Sequence, residues 1–161
     1  ELSKACGSIW SHLTEGVSER RSFSGPPNAA LAGQEGPAML NRQQQFGRRS
    51  ERLAVEYLKR TGYRILEVNF RARCGEIDII AREKGTIVFV EVKARASNRF
   101  GSPKGAVTTA KQRKISMAAL EYLKQSGQTA ARARFDVVAI DTAAGNMEIE
   151  LVKNAFALAY G

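Results

Sequence analysis

The most regular patterning in the chain runs from Tyr63 to residue 94. Residues 63–70, 76–82 and 86–94 are rich in β-branched and aromatic residues and bounded by turn residues, so each reads as a β-strand. Glu83-Lys84-Gly85 separates the last two and suits a hairpin loop. On either side the spacing becomes helical. Ala54, Val55 and Leu58 form an apolar stripe that predicts a helix from Gln44 to about Thr61, ended by Gly62. Ile115, Ala118, Ala119, Tyr122 and Leu123 make the core face of a second helix, from about Thr108 to Gln125. Strands at 134–141 and 147–153 follow.

Residues 1–43 lack sustained periodicity and carry the breaker clusters Ser24-Gly25-Pro26-Pro27-Asn28 and Gly33-Gln34-Glu35-Gly36-Pro37. They read as a mostly disordered extension, with one weak helical turn around Ile9-Trp10 and Leu13. Residues 44–161 read as one domain, a length sufficient for a proper core. Met39, just before the domain, is read as the natural start of translation.

Charged residues interrupt two of the apolar strands. Side chains alternate across a strand, so Glu76 and Asp78 share one face, and Glu91 and Lys93 share a face of the next strand. Polar groups at half-buried strand positions are costly unless compensated. Two carboxylates ~4 Å apart repel by roughly 4 kcal/mol at an effective dielectric of about 20, and a cation between them reverses that sign. Oxygen ligands from Asp78 and Glu91 suit Mg²⁺ or Mn²⁺, with water and phosphate filling the remaining positions. Lys93 is placed to act as a point charge holding a water or a phosphate oxygen. These parts suit phosphodiester hydrolysis.

Asp78, a spacer and Glu91-Val92-Lys93 resemble the D…ExK core of the restriction-endonuclease-like nuclease superfamily. The likeness narrows when Gly47-Arg48-Arg49-Ser50-Glu51-Arg52-Leu53-Ala54, Gly75-Glu76-Ile77-Asp78, Phe89-Val90-Glu91-Val92-Lys93-Ala94-Arg95, Phe100-Gly101 and Arg134-Phe135-Asp136-Val137-Val138 are taken in order. From about residue 44 onward the series resembles the YraN-like family of small bacterial proteins, and it is similar to archaeal Holliday junction resolvases. The resemblance implies an α/β fold with a mixed central sheet flanked by helices. It also implies a metal-dependent nuclease acting on branched or structured DNA. The rival from another class is a non-catalytic nucleic-acid-binding module that keeps the fold.

Under this resemblance Asp78 and Glu91 bind the metal, the Val92 carbonyl adds a ligand, and Lys93 positions or activates water. Glu51 matches the acid that such nucleases bring from the first helix. From the residues alone the preferred reading is a helix-start acid favoured by the macrodipole. Ala94 departs from the pattern, standing where a hydroxyl residue often follows the lysine. Glu76 stays open between the metal and an arginine partner. Asp136 is read as structural.

Charge bears on the partner. The net charge is +9, and residues 1–46 contribute nothing to it, since 21 of the 25 Lys and Arg and 12 of the 16 Asp and Glu lie in residues 47–161. A basic domain favours a polyanion, DNA before RNA given the resemblance. Arg95, Arg99 and Lys104, beside Asn98 and Phe100 in the loop after Lys93, are candidate phosphate contacts, with Arg71 and Arg73 extending the same surface. Lys111 continues the stripe of the second helix. Whether it points at the acidic cluster or snorkels at the core rim stays open. Cys6 and Cys74 form no CxxC pair, and His12 lies outside the domain, which argues against zinc and histidine chemistry and fits a reducing cytoplasm. Cys74 is read as a small loop residue. No apolar run approaches a membrane span and no signal peptide is read. A homodimer is among the assemblies the sequence allows.

Overall fold

The computed structural model describes residues 18–22, 42–95, 107–142 and 147–159. In chain order the elements are β1 (Ser18–Ser22), α1 (Arg42–Arg60), β2 (Arg64–Ala72), β3 (Gly75–Glu83), β4 (Thr86–Arg95), α2 (Thr109–Gln125), β5 (Ala133–Asp141) and β6 (Glu148–Phe156). The strands form one mixed sheet of order β1-β6-β5-β4-β3-β2. All neighbours are antiparallel except β4 and β5, which are parallel. The crossover between that pair contains α2, as a parallel pair requires a long connection. The result is an α/β fold with a mixed sheet flanked by helices, consistent with a restriction-endonuclease-like arrangement.

Each helix covers one layer of the core. Ala54 and Leu58 of α1 are fully buried among Ile79, Val88, Val90, Val138, Ile140 and Leu151, with Val55 partly buried beside them. Ile115, Ala118, Ala119 and Leu123 of α2 pack on Ile80, Phe89 and Phe135, with Tyr122 edge-on to Phe70 and Phe89. Gly62 ends α1 at φ 93°, where the Tyr63 amide reaches back to the Leu58 carbonyl at 2.9 Å. The β3–β4 loop is Lys84-Gly85, and both residues have positive φ, as a type I′ hairpin requires. Thr108 caps α2 by accepting from the Lys111 amide.

The structure departs from the sequence reading in three places. Residues 18–22, inside the segment read as an extension, form β1 and pair antiparallel with β6. The other calls on residues 1–41, including the helical turn at Ile9-Trp10 and the role of Met39, lie outside the described residues. β6 runs past residue 153 to Phe156, because Asn154 takes a left-handed φ of 51° within the strand and the β5–β6 register shifts there. The strict alternation expected across Asp78 does not hold. Ile77 and Ile80 both pack in the α2 layer, whereas Ile79 packs in the α1 layer.

Asp136 is structural, as read. It is fully buried on β5, and its carboxylate accepts from Arg134 Nε (2.9 Å), the Tyr63 hydroxyl (3.1 Å) and the Asn154 amide (2.8 Å). Arg134 also donates to Glu83 at 2.8 Å, and Lys153 donates to the other Glu83 oxygen at 3.2 Å. Burial alone would raise the Glu83 carboxyl, but the hydrogen bonds from Arg134 and Lys153 outweigh it and hold it below its ordinary value. Burial and the Asp136 charge push the Tyr63 phenol far up, so it remains a donor. A carboxylate held low contributes stability that is present above its unfolded-state value and lost as pH falls through the folded one. Glu83→Gln is therefore expected to flatten the acid limb of stability below about pH 4.5, with less difference from wild type at lower pH than at pH 7. Urea midpoints at several pH values check this.

No helix among the described residues is long and apolar enough to cross a membrane.

Candidate metal and phosphate site

The site arises where β3 and β4 part. Their backbone register runs from Glu83 and Thr86 to Ile79 and Val90 and goes no further. β4 continues pairing with β5 to Arg95, while β3 stays with β2 to Gly75. Beyond Ile79 the Asp78 side chain replaces the missing ladder bond, and Asp78 Oδ2 accepts from the Val92 amide at 2.7 Å. In an extended strand the N–H and C=O of one residue point to the same side. The Val92 carbonyl therefore also faces the gap.

Glu91 projects into the α2 layer and is 3% exposed. Lys93 Nζ lies 2.8 Å from Glu91 Oε1. Lys111 Nζ, from the first turn of α2, lies 3.4 Å from Oε2 and 4.0 Å from Glu76 Oε1. The Lys111 contact with Oε2 is an ion pair without hydrogen-bond geometry, and Oε2 is buried with no hydrogen-bond partner. Burial, then the Glu91 charge, pushes the half-buried Asp78 carboxyl up to about 7. The Val92 amide and Lys111 pull the other way, and the Glu51 charge adds to the rise.

A divalent cation fits this donor set. Two carboxylates lie beside a strand carbonyl that faces the gap, one buried oxygen lacks a donor, and burial together with the Glu91 charge holds Asp78 toward its neutral form. Among the described residues no group of three or more His, Cys, Asp or Glu is gathered for a metal. The ion would thus be held by two side chains and complete its shell with water and substrate oxygens, the usual habit of Mg²⁺.

Of the sequence candidates, Asp78, Glu91, Val92 and Lys93 come together. Glu51 stands in the middle of α1, not at its start, and its charge adds to the rise of the Asp78 carboxyl. Lys111 points at the acids, which settles one open reading. The partner of Glu76 is Lys111, not an arginine, and Glu76 sits mostly exposed at the mouth. Arg71 lines a cleft of about 420 Å³ with Cys74, Gly75, Glu76, Lys111 and Lys114. Arg73 is exposed, and its amide is tied to Glu121 at 3.3 Å. Arg99 and Lys104, with Asn98 and Phe100, lie outside the described residues, as does the side chain of Arg95. Lys114, one turn after Lys111 at the start of α2, lines the same cleft.

Gly75 sets how closely α2 approaches. A Cβ there would stand 3.0 Å from Lys114 Cβ and 3.1 Å from the Lys114 carbonyl oxygen. Helix backbone yields only by moving the helix. Gly75→Val is expected to cost about 1–3 kcal/mol by overpacking, read as a lower urea midpoint, whereas Gly47→Val meets open space and should show no overpacking cost.

The model of the uncharacterised protein family UPF0102 matches residues 50–140, a span that holds Glu51, Asp78, Glu91, Lys93 and Lys111. A UPF0102 protein of Desulfosudis oleivorans is 52% identical over 118 residues, covering 73% of this chain and 94% of the relative. One from Geobacter metallireducens is 55% identical over 115 residues, covering 71% and 94%. One from Pelobacter propionicus is 47% identical over 132 residues, covering 79% and 94%. The relatives are matched over nearly their whole length, and the matched region contains the parted strands and both acids. The chain therefore belongs to the UPF0102 family, the YraN-like family its ordered motifs resembled.

Proposed function

We propose that this protein is a metal-dependent nucleic-acid endonuclease acting on branched or structured DNA. The observation that carries the reading is the buried, donor-free Glu91 Oε2 beside Asp78 at the point where β3 and β4 part. Asp78, Glu91 and the Val92 carbonyl would hold Mg²⁺ or Mn²⁺. When bound, the ion supplies Lewis-acid charge at a phosphodiester oxygen and acidifies a water. Lys93 holds the attacking water or a phosphate oxygen through its ammonium, which Glu91 keeps in place at 2.8 Å. Glu51 approaches from α1 and orients water. Arg71, Arg73 and Lys111, with Arg95 at the end of β4 and Arg99 and Lys104 further along the sequence, bind backbone phosphates, consistent with the basic excess in residues 47–161. A cytoplasmic setting follows from the same reading.

The test is incubation with labelled duplex, flap, four-way-junction and single-stranded substrates in Mg²⁺, Mn²⁺ or chelator. Metal-dependent cleavage of the structured substrates is expected. Lys93→Ala should slow cleavage by about 10²–10³-fold, the scale for losing one preorganised donor, while Mn²⁺ binding stays near wild type. Tight substrate binding without cleavage in any metal would favour the non-catalytic binding module. Cleavage by Lys93→Ala at the wild-type rate would remove Lys93 from the chemistry.

A further inference from the structure

Lys111 lies outside the motifs of β3 and β4, yet it touches the most buried acid of the site. Its ammonium stands 3.4 Å from Glu91 Oε2, and that oxygen receives no hydrogen bond. Lys93 grips the other oxygen at 2.8 Å. The two lysines therefore serve Glu91 differently. Lys93 stands on the same strand and is closely bonded. Lys111 comes from another element on a flexible four-carbon stem and neutralises Oε2 without saturating it. The same residue lines the cleft shared by Arg71, Glu76 and Lys114. Three cations against one acid make that cleft attractive to a phosphate. Lys111 is thus within reach of two anionic sites that it cannot fully serve together.

We infer that Lys111 is the resident counter-ion of the metal-free site. It gives up Glu91 when a divalent cation binds there and turns into the cleft to hold a substrate phosphate beside Arg71 and Lys114. The identity of the cation rests on the proposed function, but the exchange follows from the positions of the charges. A divalent ion and an ammonium at one oxygen repel about twice as strongly as two single charges at the same distance. The cleft gives the ammonium somewhere to go. Metal loading and phosphate binding then strengthen each other, and linkage requires the coupling to be reciprocal.

Mn²⁺ titration of wild type, Lys111→Met and Lys114→Met by calorimetry tests this. Methionine keeps an apolar stem and removes the charge. Lys111→Met is expected to bind Mn²⁺ about tenfold more tightly, a step of about 1.4 kcal/mol, because the competing cation is gone. Lys111→Gln should do the same. Lys114→Met, in the same cleft but with no ion pair to Glu91, should stay within about twofold of wild type, a difference too small to reflect a direct competitor. Inorganic phosphate is the second probe. Mg²⁺ should strengthen its binding in wild type, and this gain should shrink severalfold in Lys111→Met. A wild type that binds Mn²⁺, with both Lys111 variants unchanged or weaker, overturns the counter-ion role and leaves the metal reading standing. A wild type that binds no Mn²⁺ overturns both.

Discussion

Asp136→Ala is expected to lower the stability of the domain by about 3–5 kcal/mol, the cost of breaking a buried ion pair by removing one partner. Asp136 is fully buried and accepts from Arg134, the Tyr63 hydroxyl and the Asn154 amide. Removing it orphans three donors in the α1 layer, and Glu83 can answer only part of the Arg134 charge. Net stabilities of small domains are about 5–15 kcal/mol, so the loss is a large share of the total. Urea denaturation should show a much lower midpoint with an unchanged slope. Asp136→Asn keeps an acceptor and should fall between wild type and alanine. A change below about 1 kcal/mol, the size of one ordinary hydrogen bond, would mean that the network adds order without adding stability.

That network was barely legible in the sequence, and the reason is topological. Tyr63 lies just before β2, Glu83 at the end of β3, Asp136 on β5 and Lys153 on β6. They meet only because β5 inserts between β4 and β6. Periodicity places a residue on a face but does not order strands in a sheet. The elements of one hairpin were easier. β3, β4 and a hairpin between them follow from β-branched runs around Glu83-Lys84-Gly85, although Glu83 pairs with Thr86 at the end of β3 and leaves a two-residue turn. Asp78 and Glu91 inherit their nearness from that hairpin. β1 escaped notice because Ser18-Glu19-Arg20-Arg21-Ser22 has no apolar residue, so its pairing with β6 leaves no hydrophobic pattern. Asn154 lies just past the strand read at 147–153, and its left-handed backbone serves a bulge whose amide satisfies Asp136. Lys111 was ambiguous because a stripe position near a helix start serves the core rim and a site equally well. Only the approach of α2 to Gly75 decides between them.

The same hairpin carries the second large effect. Asp78→Asn and Glu91→Gln should each weaken Mn²⁺ binding by more than about a hundredfold, since losing even an outer-shell partner of a ligand costs up to about that much. Both variants should fold. Asparagine can still accept the Val92 amide, and either change removes repulsion between two acids in a poorly hydrated site. Burial and the Glu91 charge hold the Asp78 carboxyl near 7 in the folded protein. A group raised on folding adds stability below its unfolded value and loses it as pH rises through the folded one. Metal-free wild type should therefore lose stability between about pH 4 and 7, and Asp78→Asn should not show that loss.

Calorimetric titration of Mn²⁺ into wild type and Glu91→Gln side by side at pH 8 tests the metal site most directly. Saturable one-site binding in wild type and none in the variant is the predicted result. Equal isotherms would place any metal elsewhere and contradict the assignment of Asp78 and Glu91.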